Sequence, residues 1–286
     1  MDLPVELPPL DIPGLLRQSG LHPDKRLGQN FLIDTASLTK VIDAAGLQPQ
    51  DTVLEIGAGL GNLTRHLAAR VRQVVAVELD GRIIPMLRQV LEPFPNVRIV
   101  HGDILSLSPS DLFQPSIGGS YQVVANIPYY ITSAVVRHLL ESRPPPQRLC
   151  LTVQSEVAER ICARPGDLSL LALSVQVYGN PRIAARIPAG AFYPPPKVDS
   201  AVVRVDLFPQ PVIPYGQIDT FFRLAKAGFG QKRKTLRNAL VNGIHQPASQ
   251  VEKLLRTAGI DPQRRAETLS LVEWAALVEM QESQSG

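Results

Sequence analysis

Asn126-Ile127-Pro128-Tyr129 closes an apolar run and follows a glycine-rich turn by about 65 residues. Its residue types suit one chemical problem. The exocyclic amine of adenine is a poor nucleophile because its lone pair is delocalised into the ring. If the Asn126 side-chain oxygen and the Pro128 carbonyl each accept one amine hydrogen, the lone pair is localised at nitrogen and aimed at a donor carbon. Tyr129 then offers a face on which a base can stack. No tuned general base is required, since the proton leaves an already alkylated, acidic ammonium. The motif therefore points to methyl transfer onto a base amine. A strand-terminal turn also favours Asn and Pro, so the neighbouring motifs must decide.

A second constellation supplies that context. Leu54-Glu55-Ile56-Gly57-Ala58-Gly59-Leu60-Gly61-Asn62 reads as a strand entering a glycine turn and then a helix, which lets a nucleotide-like ligand approach the backbone. A dinucleotide fingerprint fails, because its third glycine falls on Asn62. Glu78 ends the next strand, where a carboxylate can accept both hydroxyls of a ribose. Asp103 follows the third strand and can accept from an adenine amine. Acids at strand ends also serve as helix caps. Three strand ends in sequence followed by Asn126 on a fourth favour a ligand crevice at the carboxyl edge of an open sheet, and the set fits S-adenosylmethionine.

The elements that must position these residues follow the same pattern. Short apolar runs at 52–56, 74–78, 97–100, 122–125, 148–153, 174–178 and 202–207 alternate with amphipathic stretches, which predicts an α/β fold with a mainly parallel seven-stranded sheet. The last pair reads as antiparallel. Phe208-Pro209-Gln210-Pro211-Val212-Ile213-Pro214 reads as a linker, and helices are expected at 219–227, 234–241, 249–257 and 270–280. Three parts are thus expected: a poorly ordered extension over 1–21 with a short helix near Leu15, a catalytic domain over 22–208 and a small all-helical domain over 209–286.

Composition bounds the rest. A chain of 286 residues with 44% hydrophobic content can build a large core, and its net charge of +3 does not by itself demand nucleic acid. Cys150 and Cys162 lack metal or disulfide spacing, His66, His101 and His138 lack ligand spacing, and no apolar run reaches membrane-span length. No metal, no membrane and a cytoplasmic setting are expected. Charge is concentrated instead: Arg223, Lys226, Lys232, Arg233, Lys234 and Arg237 occur with no acid between residues 223 and 245, as a phosphate-tracking segment would.

From about His22 to Trp274 the chain resembles the ribosomal RNA adenine N6,N6-dimethyltransferases, which modify two adjacent adenosines near the 3′ end of small-subunit rRNA. The resemblance is carried by Lys25-Arg26-Leu27-Gly28-Gln29-Asn30-Phe31-Leu32, the glycine turn and Asn126-Ile127-Pro128-Tyr129. It continues in Gln154-Ser155-Glu156-Val157-Ala158-Glu159-Arg160, Phe192-Tyr193-Pro194-Pro195-Pro196-Lys197-Val198-Asp199-Ser200 and Gln231-Lys232-Arg233-Lys234-Thr235-Leu236-Arg237-Asn238. It implies a Rossmann-like class I methyltransferase fold, with Gln29, Asn30 and Leu32 closing over the methionine part of the cofactor. Gly57, Gly59, Glu78, Asp103 and Asn126 would hold the remainder, and Phe192 would stack with Tyr129 on the target base. The implied partner is the small ribosomal subunit, engaged by a monomer. One departure stands out: after Arg164-Pro165-Gly166-Asp167 the chain passes directly to Leu168-Ser169-Leu170, without the Tyr-Gly pair usual in the family. Competing expectations are a large-subunit rRNA methylase of the antibiotic-resistance type, a DNA adenine methylase, or a non-catalytic assembly factor on the same fold. The basic 231–238 motif, the motif order and the intact Asn126, Glu78 and Asp103 respectively disfavour them.

Overall fold

The computed structural model describes residues 7–113 and 120–283. The first six positions of the expected extension and the last three of the chain lie outside that range. A helix α1 (Ile12–Gln18) and a short strand β1 (Phe31–Leu32) precede helix α2 (Thr35–Ala45). Strand and helix then alternate: β2 (Thr52–Ile56), α3 (Asn62–Ala68), β3 (Gln73–Glu78), α4 (Ile84–Leu91), β4 (Val97–His101), α5 (Pro109–Leu112), β5 (Gln122–Asn126) and α6 (Thr132–Glu141). Next come β6 (Arg148–Gln154), α7 (Ser155–Ile161), α8 (Leu170–Gln176), β7 (Gly179–Ile187), β8 (Phe192–Tyr193) and β9 (Ser200–Leu207). Helices α9 (Ile218–Phe229), α10 (Leu236–Ile244), α11 (Ala248–Thr257) and α12 (Leu271–Ser283) follow.

The main sheet has seven strands in the order β4-β3-β2-β5-β6-β9-β7, with β4 through β6 mutually parallel and β9 antiparallel to β6. Strand order reverses beside β2, which is flanked by β3 and β5, so the crevice expected at a switch point opens at the carboxyl ends of these strands. Every residue of β2 is buried, as parallel strands covered on both faces require. A separate two-stranded sheet pairs β1 with β8, matching Phe31 to Tyr193 and Leu32 to Phe192.

Packing divides the chain into two units. The first comprises Met1–Ala158 and Arg182–Leu207; the second comprises Glu159–Pro181 and Phe208–Gly286. Within the second unit Trp274 is fully buried, edge-on to Phe221 at 6.4 Å and stacked near Phe229 at 6.1 Å. Helices α9 and α10 approach closely there, because Gly243 has no Cβ to meet Ala227.

Two sequence expectations are corrected. Residues 174–178 are not a strand: Ser169 accepts a hydrogen bond from the Ala172 amide and starts helix α8, and the strand begins only at Gly179. A short apolar run does not separate buried helix from strand by periodicity, and Leu-Leu-Ala-Leu favours helix. The N-terminal segment is not loosely ordered over its described part either. Ile12 and Leu16, one turn apart, are 1% and 3% exposed and pack with Phe31, Leu60, Ile83 and Met86. Burying two such side chains contributes about 1.5–3 kcal/mol each, enough to hold a helix too short to persist alone. The shortened 164–168 loop is ordered within the second unit, where the Gly166 and Leu168 amides both donate to the Glu267 carbonyl.

Candidate active site

A cavity of about 110 Å³ lies in the first unit at the carboxyl ends of β2, β3, β4 and β5. Its wall gathers Gly57, Ala58, Gly59 and Leu60 from the turn after β2, Glu78 at the end of β3 with Leu79 after it, and Gly102, Asp103 and Ile104 after β4. Asn126 ends β5 and Ile127 to Tyr129 follow it, and Leu27 to Leu32 come from the segment that ends in β1. Gln29, Asn30, Leu32, Gly57, Gly59, Glu78, Asp103, Asn126, Pro128 and Tyr129 are thus brought together, although they span about 100 residues of chain.

Each acid is held differently. Glu78 is 7% exposed, and its two oxygens accept from the Gly59 and Asp80 amides, both at 2.8 Å. Burial nevertheless raises its pKa above the ordinary carboxylate value, with the two amide bonds working against that rise. Both oxygens keep lone pairs for further donors, as a ribose diol would supply. Asp103 is exposed and caps the turn after β4 through the Leu105 amide at 2.9 Å, so it is a cap that also faces the cavity. Glu55 was not singled out in the sequence. It sits in mid-strand at 1% exposure, lines the cavity and carries an Oε2 without a hydrogen-bond partner among the described residues. Burial pushes its pKa up to about 8.

Asn126 shows the most informative geometry. Its Nδ2 donates to the Asn30 carbonyl at 2.9 Å. A carbonyl can only accept, so this bond fixes the amide orientation and leaves Oδ1 as the remaining acceptor. The Pro128 carbonyl accepts from the Ile131 amide at 3.2 Å and retains its second lone pair. Tyr129 is anchored through its hydroxyl to Ser200 Oγ at 2.7 Å, and partial burial raises its pKa. Rigid positioning of this kind is what amine activation needs, because a misplaced acceptor forfeits the directional gain.

The segment 24–30 is pinned by a polar ring. Gln29 Nε2 donates to Asp80 at 2.8 Å while its Oε1 accepts from the Asp24 amide at 2.7 Å, and Arg82 bridges Asp80 and Asp24. Asp80 is 5% exposed and its pKa is lowered, chiefly by the Arg82 guanidinium. Gln29 therefore acts by shaping the segment, and Asp80 is a partner that sequence reading missed. Asn62 likewise holds the Leu32 carbonyl at 2.9 Å.

Two candidate residues lie otherwise than expected. Phe192 is 2% exposed and belongs to the core beside Leu32 and Leu38, so its ring presents no face for stacking and does not line the cavity. Pairing of β8 with β1 turns it inward. Arg237 is not a free cation: it pairs with Glu252 at 3.1 Å. Arg223, Lys226, Lys232, Arg233 and Lys234 are exposed and have no acidic partner among the described residues.

The cavity fits a nucleoside. Glycines with φ of +74° and +59° at 57 and 59 bare the backbone, and Glu78 awaits hydroxyl donors. A seven-stranded, mainly parallel sheet with this cavity at its switch point defines a Rossmann-like, S-adenosylmethionine-dependent methyltransferase. A family model described as ribosomal RNA adenine dimethylase matches residues 21–282. The chain belongs to that family.

A relative from Dehalococcoides mccartyi strain 195, named ribosomal RNA small subunit methyltransferase A, is 50% identical over 258 residues, or 90% of this chain and 88% of the relative. A protein of the same name from Pelotomaculum thermopropionicum is 43% identical over 275 residues, 93% of each. Among solved structures, the 23S rRNA methyltransferase ErmE aligns with a TM-score of 0.70 and 30% identity, covering 88% of this chain and 100% of that one. A dimethyladenosine transferase from Plasmodium falciparum aligns with a TM-score of 0.76 and 26% identity, covering 89% and 98%.

Proposed function

We propose that the protein dimethylates N6 of two adjacent adenosines near the 3′ end of small-subunit rRNA, acting as a cytoplasmic monomer on an assembling small subunit. The observation that carries the chemistry is the Asn126 amide, tied through Nδ2 to Asn30 and left with Oδ1 as an acceptor. The substrate rests on the small-subunit name carried by relatives up to 50% identical over nearly the whole chain, against 30% for the large-subunit enzyme. No helix among the described residues is long and apolar enough to cross a membrane.

In this reading Glu78 accepts the ribose hydroxyls, Asp103 takes the adenine amine, and the 57–59 turn lies along the nucleoside. Gln29, Asn30 and Leu32 belong to the segment that closes the methionine end. When bound, S-adenosylmethionine supplies an electrophilic methyl carbon. Asn126 Oδ1 and the Pro128 carbonyl each hold one hydrogen of the target amine, concentrating its lone pair on nitrogen, and Tyr129 supports the base by stacking worth about 1–3 kcal/mol. For the second transfer the amine keeps a single hydrogen, and one of the two acceptors holds it. Arg223, Lys226, Lys232, Arg233 and Lys234 contact phosphate.

The test is mass spectrometry of small-subunit rRNA after unmethylated subunits are incubated with the cofactor and the protein. Dimethyladenosine should form at two neighbouring positions near the 3′ end. Asn126→Ala should lower the rate by about 10²–10³-fold, as loss of a positioned hydrogen-bonding group does elsewhere, while leaving subunit binding intact. Full activity in that variant would overturn the assigned role, and product on large-subunit rRNA alone would overturn the substrate.

A further inference from the structure

The family match begins at residue 21, but the cavity wall begins earlier, with Ile12. Ile12 is the first residue of α1 and is 1% exposed in an apolar cluster with Leu16, Phe31, Leu60, Ile83 and Met86. Phe31 and Leu60 themselves line the cavity. One polar bond caps the helix and another ties the chain just before it to α3. Asp11 caps α1 through the Gly14 amide at 2.9 Å, and the buried Arg65 of α3 donates to the Pro8 carbonyl at 2.5 Å.

A seven-residue helix gains little from its own hydrogen bonds, so α1 keeps its form through this docked face. The same face supplies wall to the cavity. We infer that Ile12 is a cofactor-contacting residue contributed by a strap outside the family match, and that strap docking and cofactor binding strengthen each other. The inference rests on the cofactor reading of this cavity. Ile12 offers only aliphatic surface, so its contact is with a carbon face of the ligand. Reciprocity follows from linkage: whatever free energy the ligand gains from a docked strap, the strap gains from a bound ligand.

The experiment is calorimetry with S-adenosylhomocysteine on the full chain, together with hydrogen exchange of residues 12–20 with and without saturating ligand. Ile12→Ala should raise Kd by about twofold to fivefold, a small factor because Ile12 is already almost out of water in the free protein and the ligand removes little further area from it. Leu16→Ala, which loosens the strap without touching the cavity, should raise Kd by less, and the exposed Gln18→Ala should not change it. In the unaltered protein, ligand should slow exchange across α1. An Ile12→Ala protein with lowered Tm but unchanged Kd would show a purely structural residue and overturn the inference. So would exchange in α1 that ignores ligand, a readout that does not depend on any variant folding. Absence of binding by the unaltered chain would instead remove the cofactor reading itself, and this inference with it.

Discussion

Glu55 stands in β2 among Thr52, Val53, Leu54 and Ile56, all buried, and a carboxylate there has almost no water to solvate it. Burial raises its pKa from 4.5 to about 8, with the nearby Glu78 acting in the same direction. The folded carboxyl thus keeps a proton that the unfolded one has released over the intervening pH range. Its contribution to stability is fully present below 4.5 and is lost as pH rises through about 8. Glu55→Gln keeps the shape and removes the titration. Thermal melts from pH 5.5 to 8.5 should fall less steeply for the variant than for the parent, and parallel curves would refute the assignment. A lone acid in an apolar strand is visible in Thr-Val-Leu-Glu-Ile, and that signal could have marked Glu55 from sequence. Phe192 and Arg237 were harder. Their types were legible but their surroundings were not, because burial of Phe192 depends on β1 and pairing of Arg237 depends on Glu252 in the next helix.

At the scale of elements, the parallel strands were readable because burial on both faces leaves continuous apolar runs that local sequence displays. Glycine turns and proline breaks were readable for the same local reason. What escaped was whatever depended on a distant partner: α8 in place of a strand, and α1 docked instead of loose. The turn after β2 joins local and distant demands in one residue. Gly59 has a φ of +59°, and a Cβ there would come within 3.0 Å of the Phe31 ring, itself placed by the β1–β8 pair. Gly59→Ala must therefore strain the backbone and displace Phe31 from the cavity wall. A loss of about 1–2 kcal/mol in stability is expected from the left-handed conformation alone. Binding of S-adenosylhomocysteine should weaken further than the fall in stability explains, because the Gly59 amide that orients Glu78 shifts with the turn. Denaturant unfolding and calorimetry on the same sample separate the two effects, and unchanged affinity would mean that the turn does not shape the site.

Across the whole molecule, chemistry and charge belong to different units: the cavity is built from the first, and the unpaired cations at 223–234 belong to the second. A net charge of +3 hides this division, since of the 29 Lys and Arg residues all but these five are offset in number by the 26 Asp and Glu of the chain. If all five unpaired cations contact phosphate, the log–log dependence of subunit affinity on salt should have a slope of about −3.5 to −4.5 from this segment. Reversing three of them, with Lys232→Glu, Arg233→Glu and Lys234→Glu together, should weaken binding and flatten that slope by about 2 to 3. Arg237→Gln makes the sharper comparison. Its guanidinium already faces Glu252, so the slope should stay near that of the parent even though the residue lies in the same basic motif. Filter binding to unmethylated subunits across a salt series reads both variants. If Arg237→Gln flattens the slope as a phosphate contact would, the Glu252 pair is broken on the ribosome and the cation count returns to six. If the triple reversal leaves affinity and slope unchanged, the segment does not carry the RNA, however positive it is.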